Sequence, residues 1–251
     1  MQTLTQRLAN PTRFMALSAQ LLPWLWGAAA AIIAIGLYMG FASPPDYQQG
    51  HSAKIMYVHV PTAWLSMAVY ALVAASSFGF LVFRHPLADV SAKAAAPIGA
   101  LFTLLCLVTG SLWGKPMWGA YWAWDPRLTS VLILFFLYLG LIALRTSIED
   151  ESLAANLTAI LAIVGIVLLP VIRYSVNWNS IHQPPSVSRL GAPTVHPDLL
   201  WPLLTMAVGM TVLFAAMHMK AMRNEILRRR VKALRLAEVQ LAGGYARQPA
   251  E

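Results

Sequence analysis

Leu21-Leu-Pro-Trp-Leu-Trp-Gly-Ala-Ala-Ala-Ala-Ile-Ile-Ala-Ile-Gly-Leu-Tyr-Met-Gly-Phe-Ala42 runs for 22 residues without a charged side chain or a histidine. A helix needs about 20 predominantly apolar residues to cross the hydrocarbon core of a bilayer, so this stretch predicts a membrane span. Five further stretches share the property: Thr62–Phe83, Ala94–Trp113, Leu128–Leu144, Leu153–Ile172 and Leu199–Met217. The fourth is the shortest at 17 residues, and Arg145 at its end can extend it by snorkelling. The expected architecture is an all-α integral membrane protein with six transmembrane helices. Its parts are an N-terminus over 1–20, a six-helix domain over 21–217 and a basic tail over 218–251. Gly36 and Gly40 stand at the small-residue spacing of helix contacts, a weak signal when single.

Composition agrees. Of 251 residues, 58% are apolar and 11% charged, against about 25% charged in an average soluble domain. The mean hydropathy is +0.60. A soluble enzyme, a DNA-binding domain and a disulfide scaffold are excluded on these grounds. The single cysteine, Cys106, lies inside an apolar run and reads as a small buried hydrophobe. A cleavable leader is not expected, because no small-residue cleavage site follows the first apolar run.

The net charge of +8 could suggest nucleic acid, but its distribution follows topology instead. With the N-terminus inside, 13 of the 18 basic residues fall on the cytoplasmic side, so both termini are expected there. The cytoplasmic pieces are short connectors and a helical tail over Lys220–Gln240. That tail reads as a stalk in contact with water or lipid headgroups, with docking of a cytoplasmic partner as the alternative.

The external segments, Ser43–Pro61, Gly114–Arg127 and Arg173–Asp198, carry the information. Seven of the nine tryptophans lie in or beside them, whereas an aromatic belt would populate both interfaces. The densest piece spans residues 113–129, between the third and fourth helices: Trp113-Gly-Lys-Pro-Met-Trp118-Gly-Ala-Tyr121-Trp122-Ala-Trp124-Asp125-Pro-Arg127-Leu-Thr129. A short interfacial helix presenting these rings would form a platform for a large, flat, apolar ligand. A loop packed only for stability is the competing role.

None of the six histidines falls within a charge-free run. His51 and His196 read as solvated. His59 and His182 stand in apolar or aromatic surroundings on either side of the Trp-rich segment in sequence. Two such imidazoles suit axial ligation of a haem iron from opposite faces. Competing roles are an interfacial histidine with its bonds satisfied and one bonded to a loop carbonyl. Haem propionates would need cations, and Lys54, Lys115, Arg127, Arg173 and Arg189 are those available outside. Arg127 could instead pair with Asp125.

The 113–129 segment resembles the tryptophan-rich WWD signature of the haem-handling protein family. Six spans and this chain length are similar to the members that act as protein C of the cytochrome c maturation system. Further matches are Pro44-Pro-Asp-Tyr-Gln-Gln-Gly50, Tyr57-Val-His59-Val-Pro61, Ala96-Pro-Ile-Gly99, Thr109-Gly-Ser111, and Tyr174-Ser-Val with Ile-His182-Gln. The likeness runs from about residue 20 to residue 220. Tyr121 stands where the family often has a second Trp, and its ring still stacks.

The resemblance implies a role for each residue. His59 and His182 match the paired external histidines taken as axial ligands. Trp113, Trp118, Trp122, Trp124 and Asp125, with Tyr121, match the platform. It further implies a non-enzymatic protein of the bacterial inner membrane, with its site on the periplasmic side. Such a protein holds haem b as transient cargo and delivers it to a periplasmic haem chaperone, protein E. A small single-span protein D and the ATP-binding-cassette proteins A and B are the implied partners, alongside membrane lipid and without nucleic acid. A permease subunit of an ATP-driven exporter is the alternative reading.

Overall fold

In the computed structural model, residues 10–178 and 195–245 are described, with side chains as far as Gln240. The elements are α1 (Pro11–Ala42), a 3-10 turn (His51–Ile55), α2 (Met56–Phe83), α3 (Pro86–Trp118), α4 (Pro126–Ser147), α5 (Glu151–Gly165), α6 (Leu168–Tyr174), a second 3-10 turn (Ser175–Asn177) and α7 (Pro197–Tyr245). Apart from one isolated bridge between Asp46 and Gly50, the described regular structure is helical. Six segments are long and apolar enough to cross a membrane: Pro11–Ala42, His51–Phe83, Pro86–Trp118, Pro126–Ser147, Glu151–Asn177 and Pro197–Gln240. The chain is an all-α, multi-pass membrane protein.

The helices outrun the charge-free stretches because polar caps and prolines set their ends. Asn10 accepts from the backbone of Thr12 and Arg13, and Pro11 occupies the first turn of α1. Asp150 caps α5 in the same way. The α2–α3 hairpin turns at Arg84, left-handed at φ 51°, with Pro86 opening α3. The fifth span departs from the uninterrupted helix expected of 153–172. Pro170 has no N–H for the Ile166 carbonyl, so that carbonyl takes the Leu169 N–H instead, at 3.0 Å, and α5 gives way to α6.

Tyr70, Leu134, Tyr138 and Leu141 form the centre of the bundle, where α2, α3, α4 and α5 meet. The Tyr138 hydroxyl donates to the Ser66 carbonyl at 2.8 Å, and its ring meets Tyr70 edge-on at 5.3 Å. Gly99 makes room for this: a Cβ there would stand 2.2 Å from the Tyr138 ring. Gly99→Ala is expected to destabilise by about 1–3 kcal/mol through overpacking. A lowered thermal unfolding midpoint of the purified protein would register it, and an unchanged midpoint would contradict it.

The Gly36–Gly40 pair contacts two different partners. A Cβ at Gly36 would press on Met206 of α7 at 2.8 Å, and one at Gly40 on the Tyr57 ring at 2.6 Å. Thus α1 lies close along α7 and meets the start of α2.

At the opposite end from Trp113, the tail departs from the expected stalk. Glu225 is buried, and Lys93, Arg228 and Arg229 reach it at 3.0, 2.8 and 2.8 Å. Asp89, also buried, binds Arg145 at 2.8 Å and Arg229 at 2.6 Å. Glu151 takes Lys232 at 2.8 Å and Arg228 at 3.3 Å. Arg145 therefore does not snorkel into water; Asp89 holds it inside. Beyond this network α7 continues with an exposed surface at Leu234, Leu236 and Val239.

Candidate functional site

The Trp-rich segment does not form a separate interfacial helix. Helix α3 simply continues through it to Trp118, ending at Gly119 in a left-handed turn of φ 75°. The Trp118 ring folds back over Gly114, where a Cβ would meet it at 2.8 Å. Gly114 thus lets the ring lie against the helix. Residues 119–125 then cross without helix to α4, whose first turn is capped by buried Asp125 accepting from Leu128 N–H at 2.7 Å. Asp125 serves as a cap as well as standing in the motif. Trp122 and Trp124 meet edge-on at 5.5 Å, and Trp124 and Tyr121 are exposed.

His59 lies in the second turn of α2, not in a loop, since the helix begins at Met56. His218 is likewise inside α7, stacked on Phe214 and bonded to Ser91. The His59 Nδ1 stands 3.1 Å from the Cys106 carbonyl and 3.1 Å from the Thr109 hydroxyl. A carbonyl can only accept, so the contact calls for a proton on Nδ1, which in the neutral ring leaves the lone pair on Nε2. That is the tautomer of a metal-binding imidazole whose other nitrogen is held by an outer partner. Gly110 gives the ring its space, with a would-be Cβ 2.9 Å from His59 Cε1. The imidazole meets the Trp113 ring edge-on at 5.7 Å and 80°.

Trp113 is fixed in turn. Its indole N–H donates to Gln49 Oε1 at 3.0 Å. Gln49 belongs to the 44–50 segment, where Asp46 Oδ1 accepts from the Gln48 and Gln49 N–H groups at 2.9 and 2.8 Å. So the first external segment and the Trp-rich segment converge on His59. His182 and Arg189 lie outside the described residues.

The candidate cations divide into two kinds. Lys54 donates to the Phe41 carbonyl at 2.8 Å, closing the end of α1. Lys115 donates to the Gly119 carbonyl at 3.0 Å and stands 5.3 Å over the Tyr121 ring, closing α3. Both hold backbone turns. Arg127 is half-buried and forms no ion pair among the described residues, although Arg173, Cys106 and Asp125 lie within electrostatic range of it. An unpaired cation in such surroundings favours an anionic ligand group. The buried Trp122 indole N–H also finds no acceptor among the described residues. An imidazole, aromatic faces, an indole N–H with no acceptor among the described residues and the Arg127 guanidinium form a donor set suited to a flat metallo-macrocycle carrying carboxylates.

Sequence reasoning passed over Gln49, Thr109 and Gly110. All three lie in the motifs quoted above, but their contacts span 50 to 64 positions along the chain and no local spacing reveals them. His51 and His196 are exposed as expected, His196 pairing with Asp198 at 3.5 Å.

Known proteins share this framework over nearly the whole chain. The chain is 58% identical over 232 residues to the heme exporter protein C of Bradyrhizobium diazoefficiens, covering 92% of this chain and 88% of that one. It is 44% identical over 228 residues to that of Paracoccus denitrificans, covering 90% and 95%. Against that of Escherichia coli K12 it is 44% identical over 223 residues, covering 88% and 90%. The family described as heme exporter protein C matches residues 4–237, a range that takes in the first five spans, nearly all of the sixth, His59 and the docked turns of α7. The chain belongs to the heme exporter protein C family.

Proposed function

We propose that this chain binds haem at the end of the bundle bearing His59 and the Trp-rich segment, and delivers it to a periplasmic haem chaperone, protein E, during cytochrome c maturation. The names of its relatives support haem handling. The distribution of basic residues favours both termini in the cytoplasm and the His59 end on the periplasmic side of a bacterial inner membrane. Protein D and the ATP-binding-cassette proteins A and B would act beside it.

The observation that carries the reading is the preset His59, its Nδ1–H held by the Cys106 carbonyl and its face braced by Trp113. His59 and His182 are the axial pair, and haem b is the cargo. Trp113, Trp118, Tyr121, Trp122 and Trp124, seated by Asp125, form the platform. Arg127 is the foremost partner for a propionate, with Arg173 near it, while Lys54 and Lys115 have turns to hold and Arg189 belongs with the His182 segment. Filling both iron positions would suppress oxygen chemistry during transfer. The chain orients the cofactor and leaves covalent attachment to its partner.

Delivery fits better than a permease pathway. Among the described residues, the buried hydroxyls Thr62, Ser66 and Thr103 donate to carbonyls of their own helices. The buried carboxylates Asp89 and Glu225 are paired at the opposite end. No line of charge crosses the bundle among them.

The test is the absorption spectrum of the purified full chain loaded with hemin, oxidised and reduced. A low-spin spectrum of iron held by two nitrogens is expected, and the spectrum of free hemin in detergent would overturn the reading. Trp122→Ala is expected to slow loading of the chaperone several-fold, since base-plane contact and the orphaned N–H are both removed. Unaltered loading would count against the platform.

A further inference from the structure

Gln49 has no established task, yet it sits at the start of a chain of contacts ending at the imidazole. Its backbone is clamped on both sides. Asp46 Oδ1 accepts its N–H at 2.8 Å, and the Ser52 hydroxyl donates to its carbonyl at 2.6 Å. The turn closes through paired backbone bonds between Asp46 and Gly50, at 3.1 and 2.9 Å, and needs the positive φ of 57° that Gly50 supplies. A half-buried side-chain amide on so rigid a turn offers its oxygen in a fixed place. That oxygen accepts the Trp113 indole N–H at 3.0 Å, and Trp113 then meets His59 edge-on at 5.7 Å.

We infer that Gln49 is a positioning residue: it fixes the rotation of the Trp113 ring, and through it the plane of the His59 imidazole presented to haem. The Nδ1 contacts define which nitrogen ligates, but a hydrogen bond to a carbonyl leaves the ring free to tilt about that bond. The edge-on Trp113 face removes the tilt, and without the Gln49 acceptor the indole can turn about its own bonds. The inference rests on the haem-site reading above and adds a specific origin for the ligand's orientation.

The experiment uses the purified full chain and hemin as the probe. Gln49→Leu keeps the side-chain size and removes the acceptor, Gln49→Glu keeps an acceptor, and Trp113→Phe keeps a ring without the donor. Gln49→Leu is expected to weaken hemin binding about fivefold to tenfold, the worth of one ordinary hydrogen bond. It should also convert part of the low-spin spectrum to high-spin and broaden the His59 ring signals in nitrogen-15 spectra of the haem-free protein. Gln49→Glu should restore all three. Trp113→Phe should match Gln49→Leu, and combining the two should add nothing further. Wild-type binding and spectra in both Gln49→Leu and Trp113→Phe would overturn the inference, as would failure of Gln49→Glu to restore them. The two levels separate through His59→Ala: if it binds hemin as wild type does, the haem site itself is misplaced. If it loses hemin while Gln49→Leu does not, only the positioning role falls.

Discussion

His59→Ala is expected to lower hemin affinity of the purified chain by about 100-fold or more. Removing an outer partner of a metal-binding histidine commonly costs between about 10-fold and 100-fold, and here the ligand itself is removed. The Cys106, Thr109 and Trp113 contacts of His59 offer no ready replacement. Among them, the Thr109 hydroxyl donates to the Leu105 carbonyl at 2.6 Å, and the Trp113 indole is a donor only. The variant should fold, since a smaller side chain leaves a gap beside Gly110 without stranding a charge. Equilibrium titration with hemin checks the prediction, and added imidazole should restore the low-spin spectrum by filling the gap. Unchanged affinity would show that iron is held elsewhere.

Glu225→Ala is expected to destabilise the bundle by about 3 kcal/mol. Removing one partner from a buried charged cluster leaves the others uncompensated, at a cost of about 3–5 kcal/mol. The lower end applies because Lys93, Arg229 and Arg228 keep 24%, 31% and 43% of their side-chain surface exposed, so water relieves part of their repulsion. Thermal unfolding in detergent should show a clear drop for Glu225→Ala and a smaller one for Glu225→Gln, which keeps hydrogen-bond acceptors. Equal midpoints in wild type and Glu225→Ala would mean that the network contributes nothing. Hemin affinity should change little, since the cluster and His59 lie at opposite ends.

The six spans were legible because lipid-facing and buried positions are both apolar, so a whole helix stands out as a charge-free run. The break before α6 was signalled by Pro170 and hidden by the apolar residues around it. Polar clusters were harder. Asp89, Arg145 and Glu225 lie in short connectors or a basic tail and look solvated until their partners, 56 to 140 positions away, are brought beside them. The aromatic density of 113–129 and the apolar surroundings of His59 mark a candidate site in the sequence itself. What the sequence could not convey was which rings brace the imidazole, because Gln49, His59, Thr109 and Trp113 meet only when α2 and α3 lie side by side.

The contact between α1 and α7 has a consequence for biosynthesis. Along the chain, α1 has its main partner in α7, more than 150 positions away: Gly36 faces Met206, and Arg223 bonds both the Met15 carbonyl and the Ser18 hydroxyl. Asp89 and Lys93 likewise wait for Glu225 and Arg229. Translation must pass residue 229 before α1 gains its neighbour and the charges at that end of the bundle are neutralised. A nascent chain halted earlier would remain an unsealed bundle, open to proteolysis at its α2–α3 and α4–α5 turns, and α7 is the helix that seals it.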